Sequence, residues 1–151
     1  YKLAELTENG VRVPKIKISD THEKITNPGF KTLYRVYEGD GKAFADLIAL
    51  DDEKFDTSRP LTLTHPTMRW KSTTLEKYSM RKLLVPVYEK GRQVYTAPPL
   101  SASAEYANEE KSSFWDEYMR NVNPEIYKVD LSDGLYELKS RLIAERTGRK
   151  A

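Results

Sequence analysis

Up to Pro98 the chain mostly alternates apolar with polar residues, the period-two signature of strands with one face buried. Tyr1 to Leu6 opens on that alternation. Val11 to Ile18 resumes it across the Asn9-Gly10 turn pair, which predicts a hairpin over residues 1–18. In its second arm Ile16 and Ile18 share one face while Lys15 and Lys17 share the other. Ser19 to Lys24 reads as a short turn capped by Ser19, and Asn27-Pro28-Gly29 forbids a helix after it. A second hairpin is expected from residues 31–37 and 43–50, which flank Gly39-Asp40-Gly41. Asp51 to Pro60 is acidic and polar and reads as a surface loop or a short helical turn. Leu61–Thr64 and Met68–Lys71 are short strand candidates around His65-Pro66, and Lys82–Tyr88 with Arg92–Tyr95 predicts a third hairpin.

The period changes after Pro99. Ser101 is positioned to cap a helix reaching about Asn121, with Ala104, Ala107, Phe114, Tyr118 and Val122 near one stripe that would pack on sheet. Asn123-Pro124 interrupts it, and residues 126–129 read as extended. Ser132 caps a second helix bearing Leu135, Leu138 and Leu142, ended by Gly148 and a basic tail. The fold class is therefore α+β: antiparallel hairpins forming a sheet, followed by two C-terminal helices. One domain is expected over residues 1–151, with a hairpin and loop at 1–35, a β-rich part at 36–97 and the helices at 100–147.

Composition narrows the function. The 151 residues are 38% hydrophobic and 32% charged, with ten tyrosines and two tryptophans, which describes a folded domain with a modest core. The net charge of +2 comes from basic residues scattered among acidic ones, so charge alone demands neither nucleic acid nor a membrane. Cysteine is absent, which removes disulfides, thiolate nucleophiles and thiolate metal sites together. No apolar run approaches the ~20 residues of a membrane helix, and no signal-peptide pattern opens the chain. A cytoplasmic protein is expected. Because the first residues read as a strand already under way, the chain is also expected to be part of a longer protein.

No catalytic constellation is complete. His22 lies in a turn and His65 precedes a proline, and neither has the Ser and carboxylate spacing of a triad. Asp51-Asp52-Glu53 lacks the further oxygen ligands a cation would need, so no metal site is expected. One stretch gathers chemistry: Lys15, Lys17, Lys24, Thr26, the Asn27-Pro28-Gly29 turn, Lys31 and Arg35 combine cations, a hydroxyl and a stiff backbone. Such a set suits polyphosphate. It equally suits an edge strand guarded by lysines and followed by a structural turn. Residue types alone leave both open.

The same stretch carries a resemblance. Lys17, Ser19, Lys24, Thr26, Pro28, Gly29, Lys31 and Arg35 stand in a segment, residues 17–35, that resembles the one following the catalytic barrel in nicotinate phosphoribosyltransferases. The similarity continues in order through Gly41-Lys42, residues 45–50, residues 83–88, Trp115-Asp116-Glu117, Asn123-Pro124 and residues 129–132. It covers nearly the whole chain and looks most like the C-terminal region of bacterial members. The resemblance implies a C-terminal accessory domain of an enzyme that makes nicotinate mononucleotide from nicotinate and phosphoribosyl pyrophosphate, coupled to ATP hydrolysis through a barrel histidine. It implies partners in the protein's own N-terminal and barrel domains and in a second subunit, with ATP and phosphoribosyl pyrophosphate, and magnesium with them, used by the whole enzyme and no cofactor held by these residues. It also implies that Lys17, Lys24 and Thr26 contact phosphate or pyrophosphate across the dimer. His22 stands where the family often has proline.

Readings from other classes are a free-standing nucleic-acid-binding module, with Tyr34, Tyr37, Trp70 and Tyr88 stacking on bases, and a purely structural assembly domain. The near-neutral charge and the absence of an aromatic RNA-binding signature weigh against the first.

Overall fold

A computed structural model describes residues 2–148. Tyr1, expected to open the first strand, and the basic tail after Gly148 lie outside the described residues, as does the side chain of His22. The first hairpin pairs β1 (Glu5–Glu8) with β2 (Val11–Pro14). Asn9 and Gly10 between them both have positive φ, as a tight two-residue hairpin turn requires. β2 stops at Pro14, short of the expected Ile18: the Lys15 amide still bonds the Ala4 carbonyl in register at 2.8 Å, but beyond it the Lys17 backbone pairs with Thr26 instead of with the first strand.

The body is a six-stranded sheet in the order β6-β5-β10-β4-β3-β7. β3 (Lys31–Glu38) and β4 (Ala43–Leu50) form the expected central hairpin. β5 (Leu61–Thr64) pairs with β6 (Ser72–Leu75), and β7 (Tyr78–Lys82) adds to the free side of β3. Strand pairing at Met68–Lys71 was expected, but these residues form a turn closed by a Lys71 amide bond to the Met68 carbonyl, and the return strand begins at Ser72. The third hairpin is shorter than expected: β8 (Tyr88–Glu89) pairs with β9 (Arg92–Gln93), one more bond joins the Val94 amide to the Val87 carbonyl, and the hairpin stands apart from the main sheet.

Strand order forces curvature. β6 and β7 occupy opposite edges, yet only Glu76 and Lys77 join them. Three Cα steps reach ~11 Å, whereas the edges of a flat six-stranded sheet lie ~24 Å apart. The sheet must curl until Leu75 and Tyr78 meet. Its concave face holds the core: Val36, Ala45, Leu47, Leu61, Leu63 and Leu75 are buried there, with Tyr34, Phe55, Tyr78 and Met80 around them.

The helices differ from expectation at one end and match it at the other. α1 (Leu100–Ser112) starts after Pro99 rather than at a Ser101 cap, since the proline already holds an extended, helix-entering backbone. It buries no side chain and stops well before Asn121. Ser112 and Ser113 donate their hydroxyls to the Glu109 and Glu110 carbonyls, and Ala43 and Lys42 at the start of β4 capture the Ser113, Ser112 and Phe114 carbonyls. The chain is thus pulled out of the helix onto the sheet. Phe114 and Tyr118 therefore pack beyond α1, and α2 (Asp116–Met119) is a single separate turn.

β10 (Lys128–Leu131) inserts between β4 and β5, parallel to β4, which the reading of hairpins alone did not include. Ser132 then caps α3 (Asp133–Thr147), accepting from the Leu135 amide at 3.2 Å, and Gly148 ends it in the left-handed conformation. Leu135 is fully buried, with Leu138 and Leu142 partly so. Among the described residues no helix is long and apolar enough to cross a membrane.

Candidate functional site

Residues 15–29 form a closed loop. The Ala4 carbonyl accepts from both Lys15 and Gly29 amides, at 2.8 and 2.7 Å, so one oxygen holds the two ends together. Halfway in, the Lys17 amide donates to the Thr26 hydroxyl at 2.9 Å and the Thr26 amide donates to the Lys17 carbonyl at 3.1 Å. At the tip a 3-10 turn (His22–Lys24) is closed by the Lys24 amide bonding the Thr21 carbonyl, while Ser19 accepts from the Thr21 amide as its turn-capping role requires. Gly29, buried with φ +81°, lies against Leu50 and Leu138 and seats the loop on the body.

The cations that the sequence gathered here separate into two groups. Lys15 pairs with Glu8 at 3.4 Å. Lys31 turns its ammonium onto the Pro28 and Gly29 carbonyls, and burial lowers its pKa against the raising influence of Glu5. Arg35 bonds Asp46 at 2.9 and 3.2 Å and Glu110 at 2.8 Å, with its guanidinium over the Phe114 ring at 4.7 Å. Its pKa rises, chiefly through the Asp46 hydrogen bond. All three neutralise or cap this chain's own groups. Lys17 and Lys24 are exposed, and neither ammonium takes a hydrogen bond or ion pair among the described residues.

The structure therefore joins Lys17 to Thr26 directly and sets Lys24 on the neighbouring turn. Thr26 is a pin as well as a hydroxyl: its oxygen accepts the Lys17 N–H, leaving its own proton to donate. Two exposed ammonium groups on a hydrogen-bonded backbone are the kind of chemistry that attracts an anion.

Other candidates resolve into structural roles. His65 accepts the Thr67 and Met68 amides on Nδ1 at 3.3 and 3.2 Å and so caps its own turn. Glu53, read as part of a solvated acidic loop, accepts from the Leu50 amide at 2.7 Å and the Ser132 hydroxyl at 2.6 Å, tying β4 to the start of α3. Among the described residues no group of three or more His, Cys, Asp or Glu side chains gathers as a metal site would need. Of the aromatic residues considered for base stacking, Tyr34 turns inward against Phe55, ring centroids 5.5 Å apart, while Trp70 and Tyr88 are exposed.

Sequence reasoning passed over Lys139. It sits in α3, is 7% exposed, and lines a cleft with Ile25, next to Lys24 on the loop. Its position one turn after Leu135, on the stripe that faces the body, was the available signal.

Comparison with known proteins places the chain. Residues 30–139 match a family model described as the nicotinate phosphoribosyltransferase C-terminal domain. A nicotinate phosphoribosyltransferase of Bacillus subtilis (strain 168) is 35% identical over 150 residues, covering 99% of this chain and 31% of the relative. One from Dictyostelium discoideum is 31% identical over 145 residues, covering 91% and 24%. The crystal structure of human Nicotinic Acid Phosphoribosyltransferase superposes with a TM-score of 0.71 at 26% identity, covering 79% of this chain and 24% of that one. The chain thus spans under a third of the length of these relatives.

Proposed function

The chain belongs to the nicotinate phosphoribosyltransferase family, as its C-terminal domain, and we propose that it packs on a catalytic barrel and presents Lys17 and Lys24 to a phosphate-bearing substrate. The whole protein then joins nicotinate to the ribose of phosphoribosyl pyrophosphate, with ATP hydrolysis, in the cytoplasm. The chemistry at the reacting carbon belongs to the barrel. This domain supplies charge at the periphery, where an ammonium offsets the negative charge on pyrophosphate or on ATP phosphates.

The observation that carries this reading is the division of cations in the loop: Lys15, Lys31 and Arg35 are engaged internally, while Lys17 and Lys24 face outward from a backbone closed at both ends. An aggregation guard would need no such closure. Packing on further protein is supported by the segment from Leu84 to Leu100, where Leu84, Val85, Tyr88 and Leu100 are each more than half exposed. Apolar side chains grouped in this way call for a protein surface to cover them. The barrel is the proposed cover, and the loop reaches the site of a second subunit in a homodimer.

The test is kinetic. In the whole enzyme, Lys24→Ala and Lys17→Ala should each cost about tenfold or more in kcat/KM for phosphoribosyl pyrophosphate or ATP, the loss of one charge-assisted hydrogen bond. The KM for nicotinate should hardly move. Unchanged kinetics in both variants would remove the phosphate role and leave a structural domain. Turnover by the 151-residue chain alone would show that the catalytic centre had been misplaced.

A further inference from the structure

α3 carries a lysine on its body-facing stripe. Lys139 is more than nine-tenths buried, and its ammonium reaches one partner among the described residues, the Pro66 carbonyl at 3.4 Å. That is a long hydrogen bond for a group with three protons to donate. Burial lowers its pKa, and no carboxylate acts to raise it. A buried cation without a counter-ion is an unfavourable arrangement unless something supplies one.

Space for a counter-ion lies beside it. The cleft between the Pro66-Thr67 turn and α3 has a volume of about 290 Å3. Ile25, Pro66, Tyr136 and Ile143 give it apolar and aromatic walls, and Thr67 and Ser140 place hydroxyls along it. Arg69, exposed, holds its guanidinium over the Tyr136 ring at 5.6 Å, a second positive charge beside one of these walls.

We propose that this cleft binds a small monocarboxylate with an apolar or aromatic body, its carboxylate on Lys139 and its body against Ile25, Tyr136 and Ile143. Phosphate fits the lining poorly. A dianion needs several converging donors to offset its desolvation, and here Lys139 is the one cation in the lining, set among mostly apolar walls, with Arg69 exposed outside it. A single negative charge matches the single buried ammonium, and the walls cover the rest of the molecule. This ligand is distinct from the phosphate proposed at Lys17 and Lys24. It would nonetheless bear on that loop, because Ile25 lies between Lys24 and Thr26.

Site-resolved amine labelling tests the proposal without depending on turnover. The whole protein is treated with an amine-reactive acetylating reagent, and the modification of each lysine is followed by peptide mass spectrometry, with benzoate, benzamide or inorganic phosphate as probe. The expected result is at least tenfold slower labelling of Lys139 at saturating benzoate, no protection by benzamide at equal concentration, and an unaltered rate at Lys17. The proposal is overturned if benzoate leaves Lys139 labelling unchanged, if benzamide protects equally, or if phosphate is the better protectant. Because Lys17 and Lys24 are read in the same samples, failure at Lys139 is separable from failure of the phosphate-loop reading.

Discussion

Lys17 and Thr26 hold each other across the loop, the Lys17 amide donating to the Thr26 hydroxyl at 2.9 Å and the Thr26 amide to the Lys17 carbonyl at 3.1 Å. Thr26→Val keeps the shape and removes the acceptor. The site is at the surface, so water can replace the lost partner, and a stability loss of about 1 kcal/mol is expected. The clearer effect should be local: faster hydrogen exchange at the Lys17 amide, restored by Thr26→Ser. Equal protection in the valine variant would mean that the hydroxyl does not pin the loop.

Gly29 is fixed by two independent demands. Its φ of +81° suits glycine, and a Cβ there would lie 2.8 Å from Leu50 Cδ2 and 3.5 Å from Leu138 Cδ2. Gly29→Ala should therefore destabilise by roughly 2–3 kcal/mol, backbone strain adding to overpacking. Gly41 makes a useful control: φ is +78° but no atom lies near the added Cβ. Gly41→Ala should cost only the strain, about 1 kcal/mol. Equal losses in urea denaturation would show that the Leu50 contact is unimportant.

The hairpins were legible because their determinants are local. Asn9-Gly10 and Gly39-Asp40-Gly41 encode turns, and alternation on either side encodes which faces are buried. Ser132 and Gly148 likewise mark the two ends of α3 within a few residues of sequence. The insertion of β10 beside β4 was not legible: residues 126–129 read as extended, but a parallel pairing between residues some 80 positions apart leaves no local trace of the partner strand. The end of α1 was missed for a related reason, since its carbonyls are captured by Lys42 and Ala43 on a distant strand. At the candidate site, residue types identified the cations but could not separate those engaged internally from those left outward. That division depends on partners such as Glu110, which is 75 positions from Arg35.

Arg35 anchors the sheet to α1. It binds Asp46 through two nitrogens and Glu110 through a third, and Arg81 joins Glu110 from β7 at 2.6 Å. Replacing Arg35 with methionine would leave Asp46, whose side chain is 13% exposed, without its main counter-charge. A loss of about 3 kcal/mol is expected, the range for breaking a buried pair from one side. Arg81→Met removes a more exposed member, and Glu110 keeps Arg35, so its cost should stay under about 1 kcal/mol. Denaturant midpoints that rank the two variants the other way would contradict this hierarchy.

Tyr127 supplies a pH dependence that can be isolated. Its hydroxyl donates to Asp46 Oδ1 at 3.0 Å, and its pKa is raised far above the ordinary value, first by burial and then by the Asp46 carboxylate, with Arg35 opposing. A phenol raised in the folded state keeps its proton after the unfolded chain has lost it. The stability it contributes is complete below about pH 10, the unfolded value, and declines as pH climbs from there towards the folded pKa. Tyr127→Phe should be about 1 kcal/mol less stable than wild type at pH 7 through the lost hydrogen bond. Between about pH 10 and pH 11.5 the wild type should then lose stability faster than the variant, by up to ~1.4 kcal/mol per pH unit, and the gap should close. Urea unfolding of both proteins across that range decides it: a gap that stays constant would mean that Tyr127 titrates no differently folded than unfolded.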